Sequence, residues 1–231
     1  LRGLLDDHGS THAATILTAR LEDPTGYGRI VRLADGEVAG IVEHKDADPD
    51  QRAIDEINSG MYAFAADRLA DCLGRLTTDN VQGEEYLTDV IGLMRGDGDH
   101  VAASVCPDPT EILGVNDRVQ LAEAAALMRD RINVAWMRAG VSILDPQSTW
   151  LDVDVELESD VVISPQVALR GPTSVATGAH IGPGTTLISC EVGPGASVVH
   201  TWAELAVIGE EATVGPFTYL RPGTVLGAHA K

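Results

Sequence analysis

The sequence predicts two structural units in series, a layered α/β domain followed by a solenoid of short strands. Two observations predict this class: strands alternate with helices in the first part, and aliphatic residues then recur in six-residue steps. The aliphatic positions are Ile163, Leu169, Val175, Ile181 and Leu187, then Val192 and Val198 after a slip, then Ile208, Val214, Leu220 and Leu226. A period of six fits neither a helix nor an alternating strand, so each hexad should form one face of a three-sided coil.

Small residues accompany the aliphatic ones. A small or β-branched residue lies two positions before each of them, as Ala179 does before Ile181, and glycine often follows. We expect the aliphatic side chains to point inward and to stack on their copies in neighbouring coils. The glycines (Gly182, Gly193, Gly209, Gly215, Gly227) should permit backbone torsions at the corners that a Cβ would resist. The alternative, ordinary strands with Gly-rich turns, leaves this matched spacing unexplained.

The first part alternates apolar runs with amphipathic stretches. Helices are predicted over 67–76, 84–94 and 117–138, the last ending at Gly140, and the first few residues are expected to be the end of another. Strands are predicted over 13–21, 29–33, 37–43, 56–64 and 100–106, with a hairpin at Asp35-Gly36. We place the boundary between the units near Gly140.

Composition narrows the range of functions. The net charge of −19 argues against a nucleic-acid or anionic-membrane partner. No apolar run approaches eighteen residues, so no membrane span is expected. The three cysteines are scattered without a Cys-x-x-Cys pair, which fits a reducing cytoplasm and gives no zinc signal.

Two loop residues of the first unit are candidates for ligand binding. Gly26, in Thr25-Gly26-Tyr27-Gly28, either shapes a turn or lets a ligand approach the backbone closely. Glu43 opens the charged loop Glu43-His44-Lys45-Asp46, which is either a solvated surface or a carboxylate that accepts hydrogen bonds from sugar hydroxyls or an amide.

Three further polar residues have two readings each. Asn58 lies within an apolar strand, where it either satisfies a local turn before Gly60 or faces a ligand. Asn116 is an N-cap for the long helix, or an oxygen ligand for a hard cation. Arg221 follows an inward aliphatic residue and is either solvated or a phosphate contact.

Several motifs together resemble one enzyme family. They are Thr25-Gly26-Tyr27-Gly28-Arg29-Ile30, Val42-Glu43-His44-Lys45-Asp46, Glu56-Ile57-Asn58-Ser59-Gly60, Gln82-Gly83-Glu84-Glu85-Tyr86-Leu87-Thr88-Asp89, Gly114-Val115-Asn116-Asp117-Arg118, Ile208-Gly209, Gly215-Pro216-Phe217 and Leu220-Arg221-Pro222-Gly223. In this order and spacing they resemble the bacterial bifunctional N-acetylglucosamine-1-phosphate uridyltransferase / glucosamine-1-phosphate acetyltransferase. The resemblance runs from about His12 to the last residue.

The resemblance implies a Rossmann-like nucleotidyltransferase domain over 1–116 (its C-terminal part), a linker helix over 117–140 and a left-handed parallel β-helix over 141–231 (its N-terminal part). The implied enzyme is a cytoplasmic homotrimer through its β-helices. It acetylates glucosamine-1-phosphate with acetyl-CoA and then joins N-acetylglucosamine-1-phosphate to UTP with Mg²⁺. The UDP-N-acetylglucosamine formed feeds peptidoglycan and lipopolysaccharide.

The resemblance also implies residue roles. Gly26, Glu43, Asn58 and Asn116 match residues that hold UDP-N-acetylglucosamine, Asn116 also matches a Mg²⁺ ligand, and Arg221 matches a contact in the acetyltransferase site. The family's Gly-rich nucleotide loop, its metal-binding Asp and its acetyltransferase catalytic residues have no counterparts here. We therefore expect the chain to be a fragment that lacks both ends and is inactive by itself. The alternatives are an ADP-glucose type pyrophosphorylase with a β-helical tail and a non-catalytic trimerising scaffold.

Overall fold

The computed structural model describes residues 2–115 and 117–231, which divide into two compact units. Unit 1 comprises residues 1–114 and unit 2 comprises residues 115–231. Unit 1 is a small mixed α/β layer of Rossmann-like type, and unit 2 contains a left-handed parallel β-helix of about five turns. The predicted fold class is confirmed.

Unit 1 is organised around a five-stranded sheet. Its helices are α1 (Arg2–Asp7), α2 (Pro49–Arg52), α3 (Ala66–Leu73) and α4 (Asp89–Gly96), and its strands are β1 (Ala14–Arg20), β2 (Arg29–Arg32), β3 (Val38–Val42), β4 (Glu56–Phe64) and β5 (Val101–Val105). The sheet order is β3-β2-β4-β1-β5, in which β1 and β5 are parallel and the other pairs are antiparallel. The alternating apolar pattern puts Ile16 and Ile30 on one face against Ile91 and Met94 of α4.

One predicted boundary in unit 1 is wrong. Helix α4 begins at Asp89, whereas the apolar periodicity predicted a helix from residue 84. The side chain of Asn80 explains the difference, because its amide oxygen accepts the backbone N–H groups of Gln82 and Glu84 and its Nδ2 donates to the Glu84 carbonyl. These local bonds hold residues 80–84 as a turn and compete with helix formation.

Unit 2 begins with a long helix, α5 (Arg118–Arg138). Its N-cap is Asp117, whose carboxylate accepts the N–H of Gln120 at 2.8 Å, so the predicted capping role of Asn116 is wrong. Asn116 itself lies outside the described residues. Near the end of α5, the buried amide of Asn133 donates to the carbonyls of Pro146 and Thr149, which ties the helix to the first coil.

The β-helix has three flat faces, each a five-stranded parallel sheet. Its strands are β6 (Ser142–Ile143), β7 (Trp150–Leu151), β8 (Glu156–Leu157), β9 (Val162–Ile163), β10 (Ala168–Arg170), β11 (Ser174–Val175), β12 (His180–Ile181), β13 (Thr186–Ile188), β14 (Glu191–Val192), β15 (Ser197–Val198), β16 (Thr201–Glu204), β17 (Val207–Ile208), β18 (Thr213–Val214), β19 (Thr218–Leu220) and β20 (Val225–Leu226). Each strand pairs with the third strand after it, as expected of a three-sided coil.

The hexad residues form the core of this prism. The aliphatic positions from Ile163 to Leu220 are buried, and so are their small partners from Val161 to Ala212. The break between Val198 and Ile208 also has an explanation. Ala203 lies in register with Leu187 and Leu220 and is fully buried, so it occupies the missing inward position. The six-residue pattern does not reveal Ala203, because it lies five residues from both Val198 and Ile208 and has a small side chain.

Of the glycines that follow the aliphatic positions, Gly215 has the predicted positive φ, at 100°, and the other four do not. Gly182, Gly193 and Gly209 lack the positive φ that would require glycine. A Cβ at Gly193 would lie 2.7 Å from the backbone nitrogen of Glu210 in the next coil, and one at Gly209 would lie 2.7 Å from that of Ala228. Close stacking of the coils therefore selects these glycines, and the predicted torsional reason is wrong for them.

No helix in residues 2–115 or 117–231 is both long enough and apolar enough to cross a bilayer.

Candidate functional site

Glu43 and Asn58 meet on either side of Gly28 in unit 1. A Cβ added at Gly28 would lie 3.2 Å from Cγ2 of Ile41, 3.5 Å from Oε1 of Glu43 and 3.5 Å from Cβ of Asn58. Strand pairing produces this arrangement, because Arg29 of β2 is in register with Val42 of β3 and with Ile57 of β4. The residues that follow Val42 and Ile57 along the chain are Glu43 and Asn58. The absence of a side chain at Gly28 leaves a small cradle between a carboxylate and an amide.

Thr88 orients the Glu43 carboxylate. Its hydroxyl donates a hydrogen bond to Oε1 of Glu43 at 3.1 Å. Thr88 occupies the N-cap position of α4, where a threonine oxygen normally accepts a backbone N–H of the first turn, yet it makes no such capping bond. The buried hydroxyl is directed to Glu43 instead. Thr88 has helical torsions (φ −61°, ψ −24°) and not the extended ones of a capping residue, which leaves its hydroxyl available for Glu43.

Asn58 borders the cradle and also forms a hydrogen bond within its own strand. Its Oδ1 accepts the N–H of Gly60 at 3.1 Å, where β4 bulges away from β1 and Gly60 has a φ of 79°. This is the local turn that was one of the two predicted readings. Bulges of this kind re-aim a side chain.

Tyr62 lies beside Asn58 and is neutral throughout the physiological range. Burial raises the pKa of its hydroxyl to about 12; a hydrogen bond with the Asn58 amide lowers it, and the negative charge of Glu43 raises it further. The cradle therefore contains one carboxyl group, that of Glu43, and two neutral groups that can donate hydrogen bonds. Such a set suits the hydroxyl and amide groups of an N-acetylated sugar.

Arg29 is buried beneath the two loops at the cradle. It is 1% exposed, and burial lowers its pKa, partly offset by the charge of Asp23. One Nη–H donates to the carbonyl of Tyr27, and the other lies 3.4 Å from Nδ1 of His44. Its Nε–H is buried without an acceptor among the described residues.

Residues 80–86 pack against the loop that follows Glu43. Asp46 accepts the N–H of Val81 at 2.8 Å, and Lys45 donates to the amide oxygen of Gln82. The amide nitrogen of Gln82 in turn donates to the hydroxyl of Tyr86 at 2.7 Å. Exposed hydrogen bonds therefore hold the charged loop in place on one side of the cradle.

Gly26 lies in the same loop as Gly28. Its φ of 86° is in the left-handed region, so glycine is required by the turn that Tyr27 closes onto the Pro24 carbonyl. A Cβ there would meet nothing within 4 Å. The turn reading explains the glycine, and the open space leaves its role in ligand approach a prediction.

A cavity of about 310 Å³ borders Thr88 on the side of α4 and is lined by Gly40, Ile41, Arg75, Leu76, Thr77, Asp89, Gly92 and Leu93 as well. None of the predicted binding residues that the structure describes lines it. We place the candidate site at the cradle, where the hydrogen-bonding groups converge, and not in this cavity.

The metal prediction falls on Asn116, which lies outside the described residues. Within residues 2–115 and 117–231, no three His, Cys, Asp or Glu side chains lie close enough together to hold a metal ion.

Arg221 belongs to unit 2 and is exposed just after β19. Its carbonyl accepts the N–H and the hydroxyl of Thr224, at 3.0 and 2.7 Å, which fixes the backbone of the corner. The guanidinium is thus presented to solvent from a rigid turn. A phosphate contact stays a prediction.

Sequence reasoning missed Thr88 and Arg29 as parts of this site. A threonine before a helix resembles an ordinary cap, and an arginine at a strand end resembles an ordinary surface charge. A signal for Thr88 was available in the quoted motif Leu87-Thr88-Asp89, but nothing in the sequence indicates that Arg29 is buried.

The chain was compared with characterised proteins. No family model matches it. Proteins named bifunctional protein GlmU match at 54% identity in Corynebacterium efficiens (232 residues, 100% of this chain), 55% in Mycolicibacterium vanbaalenii (219 residues, 95%) and 52% in Streptomyces avermitilis (233 residues, 100%). These alignments cover 48%, 44% and 48% of the respective relatives, so the chain spans about half the length of the curated relatives it matches.

The identities are above 50% along essentially the whole chain and agree with the fold of both units. They do not favour an ADP-glucose type enzyme or a non-catalytic scaffold. Over the half that it spans, the chain belongs to the family of bifunctional GlmU proteins.

Proposed function

We propose that this chain supplies parts of two sites in a bifunctional enzyme that makes UDP-N-acetylglucosamine. Unit 1 contributes the sugar-binding side of a uridyltransferase site, and unit 2 contributes coils of an acetyltransferase β-helix. The observation that carries the proposal is the cradle at Gly28, where Glu43, held by Thr88, faces Asn58. The GlmU name of relatives more than 50% identical supports it.

In the proposed uridyl transfer, a phosphate oxygen of N-acetylglucosamine-1-phosphate attacks the α-phosphorus of UTP, and pyrophosphate leaves. This displacement needs no covalent nucleophile from the protein, so the role of unit 1 is to bind and orient the sugar. Glu43 accepts hydrogen bonds from sugar hydroxyls, Asn58 binds a neutral polar group of the sugar, and Gly26 offers its backbone. Mg²⁺, with Asn116 as one ligand, would neutralise charge on the phosphates.

The preceding reaction is proposed for unit 2, where acetyl-CoA acetylates glucosamine-1-phosphate and Arg221 contacts the phosphate of the sugar. Guanidinium geometry suits a phosphate, and the fixed corner at Thr224 limits the entropy lost on binding. We also propose a homotrimer assembled through the β-helix, and a cytoplasmic location. The product would serve peptidoglycan and lipopolysaccharide synthesis.

Measuring both activities in each variant of the full-length protein tests these assignments. Pyrophosphate release from UTP and N-acetylglucosamine-1-phosphate, with and without Mg²⁺, reports the first site; free CoA formed from acetyl-CoA and glucosamine-1-phosphate reports the second. Glu43→Gln should lower kcat/KM of uridyl transfer about ten- to a hundredfold and leave acetyl transfer unchanged, because it weakens charge-assisted hydrogen bonds. Arg221→Ala should do the opposite.

Matched variants control for general damage. Glu123→Gln on the exposed surface of α5 and Arg170→Ala at the exposed end of β10 should change neither rate. Absence of both products from the full-length protein would overturn the proposed function. Equal loss of both activities in Glu43→Gln or Arg221→Ala would overturn the assignment of that residue.

A further inference from the structure

The side chain of Arg29 connects the two loops that border the cradle. One Nη–H is bonded to the Tyr27 carbonyl, in the loop that contains Gly26. The other Nη–H lies 3.4 Å from Nδ1 of His44, the residue after Glu43. A planar guanidinium can span two acceptors at a fixed separation, whereas an ammonium group is a point charge and cannot.

The environment of Arg29 is unusual for a residue that only supports the fold. The cation is 1% exposed, and within the described residues no carboxylate is close enough to form an ion pair with it, although the charge of Asp23 partly offsets the effect of burial on its pKa. Its Nε–H has no acceptor there. A buried, unpaired charge is costly, and an apolar side chain of similar volume usually fills such a space at least as well. Stability alone therefore does not explain an arginine at this position.

Arg29 also determines the state of the His44 ring. A guanidinium has only donors, so the Nδ1 of His44 must be the acceptor. An accepting Nδ1 carries no proton, so this contact requires the N–H of the ring to be on Nε2. The ring and the Tyr27 carbonyl are thereby bound to the same rigid group, on the two sides of the cradle.

We propose that Arg29 is a positioning residue of the sugar site, where its guanidinium sets the separation between the Gly26 backbone and the Glu43 carboxylate and fixes the Nε2–H tautomer of His44. The expected effect on KM rests on the proposed function. The expected effect on the His44 tautomer does not. Arg29 does not touch the sugar; it acts through Tyr27 and His44.

The test compares Arg29→Met, Arg29→Lys and Arg32→Met in the full-length protein. Methionine fills the volume without donors, and lysine keeps the charge but cannot bridge both loops. Arg32, on the same strand, pairs with the buried Glu56 at 2.6 Å and serves as a purely structural control.

Arg29→Met should raise KM for N-acetylglucosamine-1-phosphate about ten- to a hundredfold with a smaller change in kcat, because the sugar is misplaced. Its melting temperature should not fall, and Arg29→Lys should recover only part of the loss. Arg32→Met should lower the melting temperature and leave that KM unchanged. An unchanged KM in Arg29→Met would overturn the proposal.

Nitrogen-15 NMR of the histidine rings gives a readout that does not depend on activity. The wild type should show His44 as the Nε2–H tautomer, and Arg29→Met should show a mixture of tautomers. An unchanged His44 spectrum in Arg29→Met would overturn the proposal even if KM rises. If the wild type showed no uridyl transfer but Arg29→Met still changed the His44 spectrum as expected, the result would contradict the proposed function and not the role of Arg29.

Discussion

At the scale of single residues, the most constrained acid outside the cradle is Glu56. It is buried, and burial alone would raise its pKa. Hydrogen bonds from Arg32 and from the Thr18 hydroxyl, at 2.6 and 2.9 Å, outweigh that effect and hold the pKa below its usual range. Because Arg32 is on β2 and Thr18 is on β1, Glu56 joins three neighbouring strands of the sheet.

This network predicts an acid-dependent loss of stability. The depressed pKa means that Glu56 stabilises the fold fully above the pKa of the unfolded chain, about 4.5, and that this stabilisation is lost as pH falls through the folded-state pKa. The wild-type melting temperature should therefore fall as pH is lowered from 5 to 3, measured by circular dichroism. Glu56→Gln should be less stable at neutral pH and show a shallower fall. Parallel curves for the two proteins would contradict the assignment.

At the scale of structural elements, the coil glycines give the clearest prediction. Gly209→Ala places a methyl group 2.7 Å from the backbone of the next coil, which must shift. We expect a loss of about 1–3 kcal/mol in the free energy of unfolding, as for overpacked cores. Urea denaturation measures it.

Gly40→Ala in β3 is the control, because Gly40 has no positive φ and a Cβ there would meet no neighbour within 4 Å. Its free energy of unfolding should change by no more than about 0.5 kcal/mol. An equal effect of the two substitutions would contradict the stacking argument.

The elements also show what sequence can and cannot predict. The solenoid was predictable because a six-residue period is an unusual signal and each inward position repeats it. Ala203 was missed because its neighbours lie five residues away, and α4 was predicted to begin too early because the turn made by Asn80 is not visible as a break in hydrophobicity.

The candidate site was predictable only in part. Glu43 and Asn58 attract attention as polar residues next to apolar strands, but their approach around Gly28 depends on the antiparallel register of β2, β3 and β4. Local patterns do not encode that register. The burial of Arg29 and the contact of the Thr88 hydroxyl with Glu43 were not predictable for the same reason, because both depend on residues far away in the sequence.

At the scale of the whole molecule, the outer surface of unit 2 has an aromatic stripe formed by Trp202 and Tyr219. These two residues are paired in register on the neighbouring strands β16 and β19, and both are at least half exposed. Apolar surface of this kind is costly in water and favours association. The stripe supports the proposed trimer.

Light scattering coupled to gel filtration tests the trimer. The full-length protein should have three times the mass of one chain, and Trp202→Arg should lower the fraction of trimer because it places a charge in the stripe. A monomeric wild type at micromolar concentration would contradict the proposal, as would an undiminished trimer fraction in Trp202→Arg.

The regular stacking of the coils also fixes the distances between positions along the prism. Each turn adds one strand to every face, so positions on a face are separated by whole multiples of about 4.8 Å. Arg170 ends β10, and Arg221 directly follows β19 on the same face three turns away, which corresponds to about 14 Å. Insertion or removal of a complete turn would change this separation by one unit and leave the orientation of both side chains unchanged. Any length variation tolerated by such a protein should therefore come in whole turns.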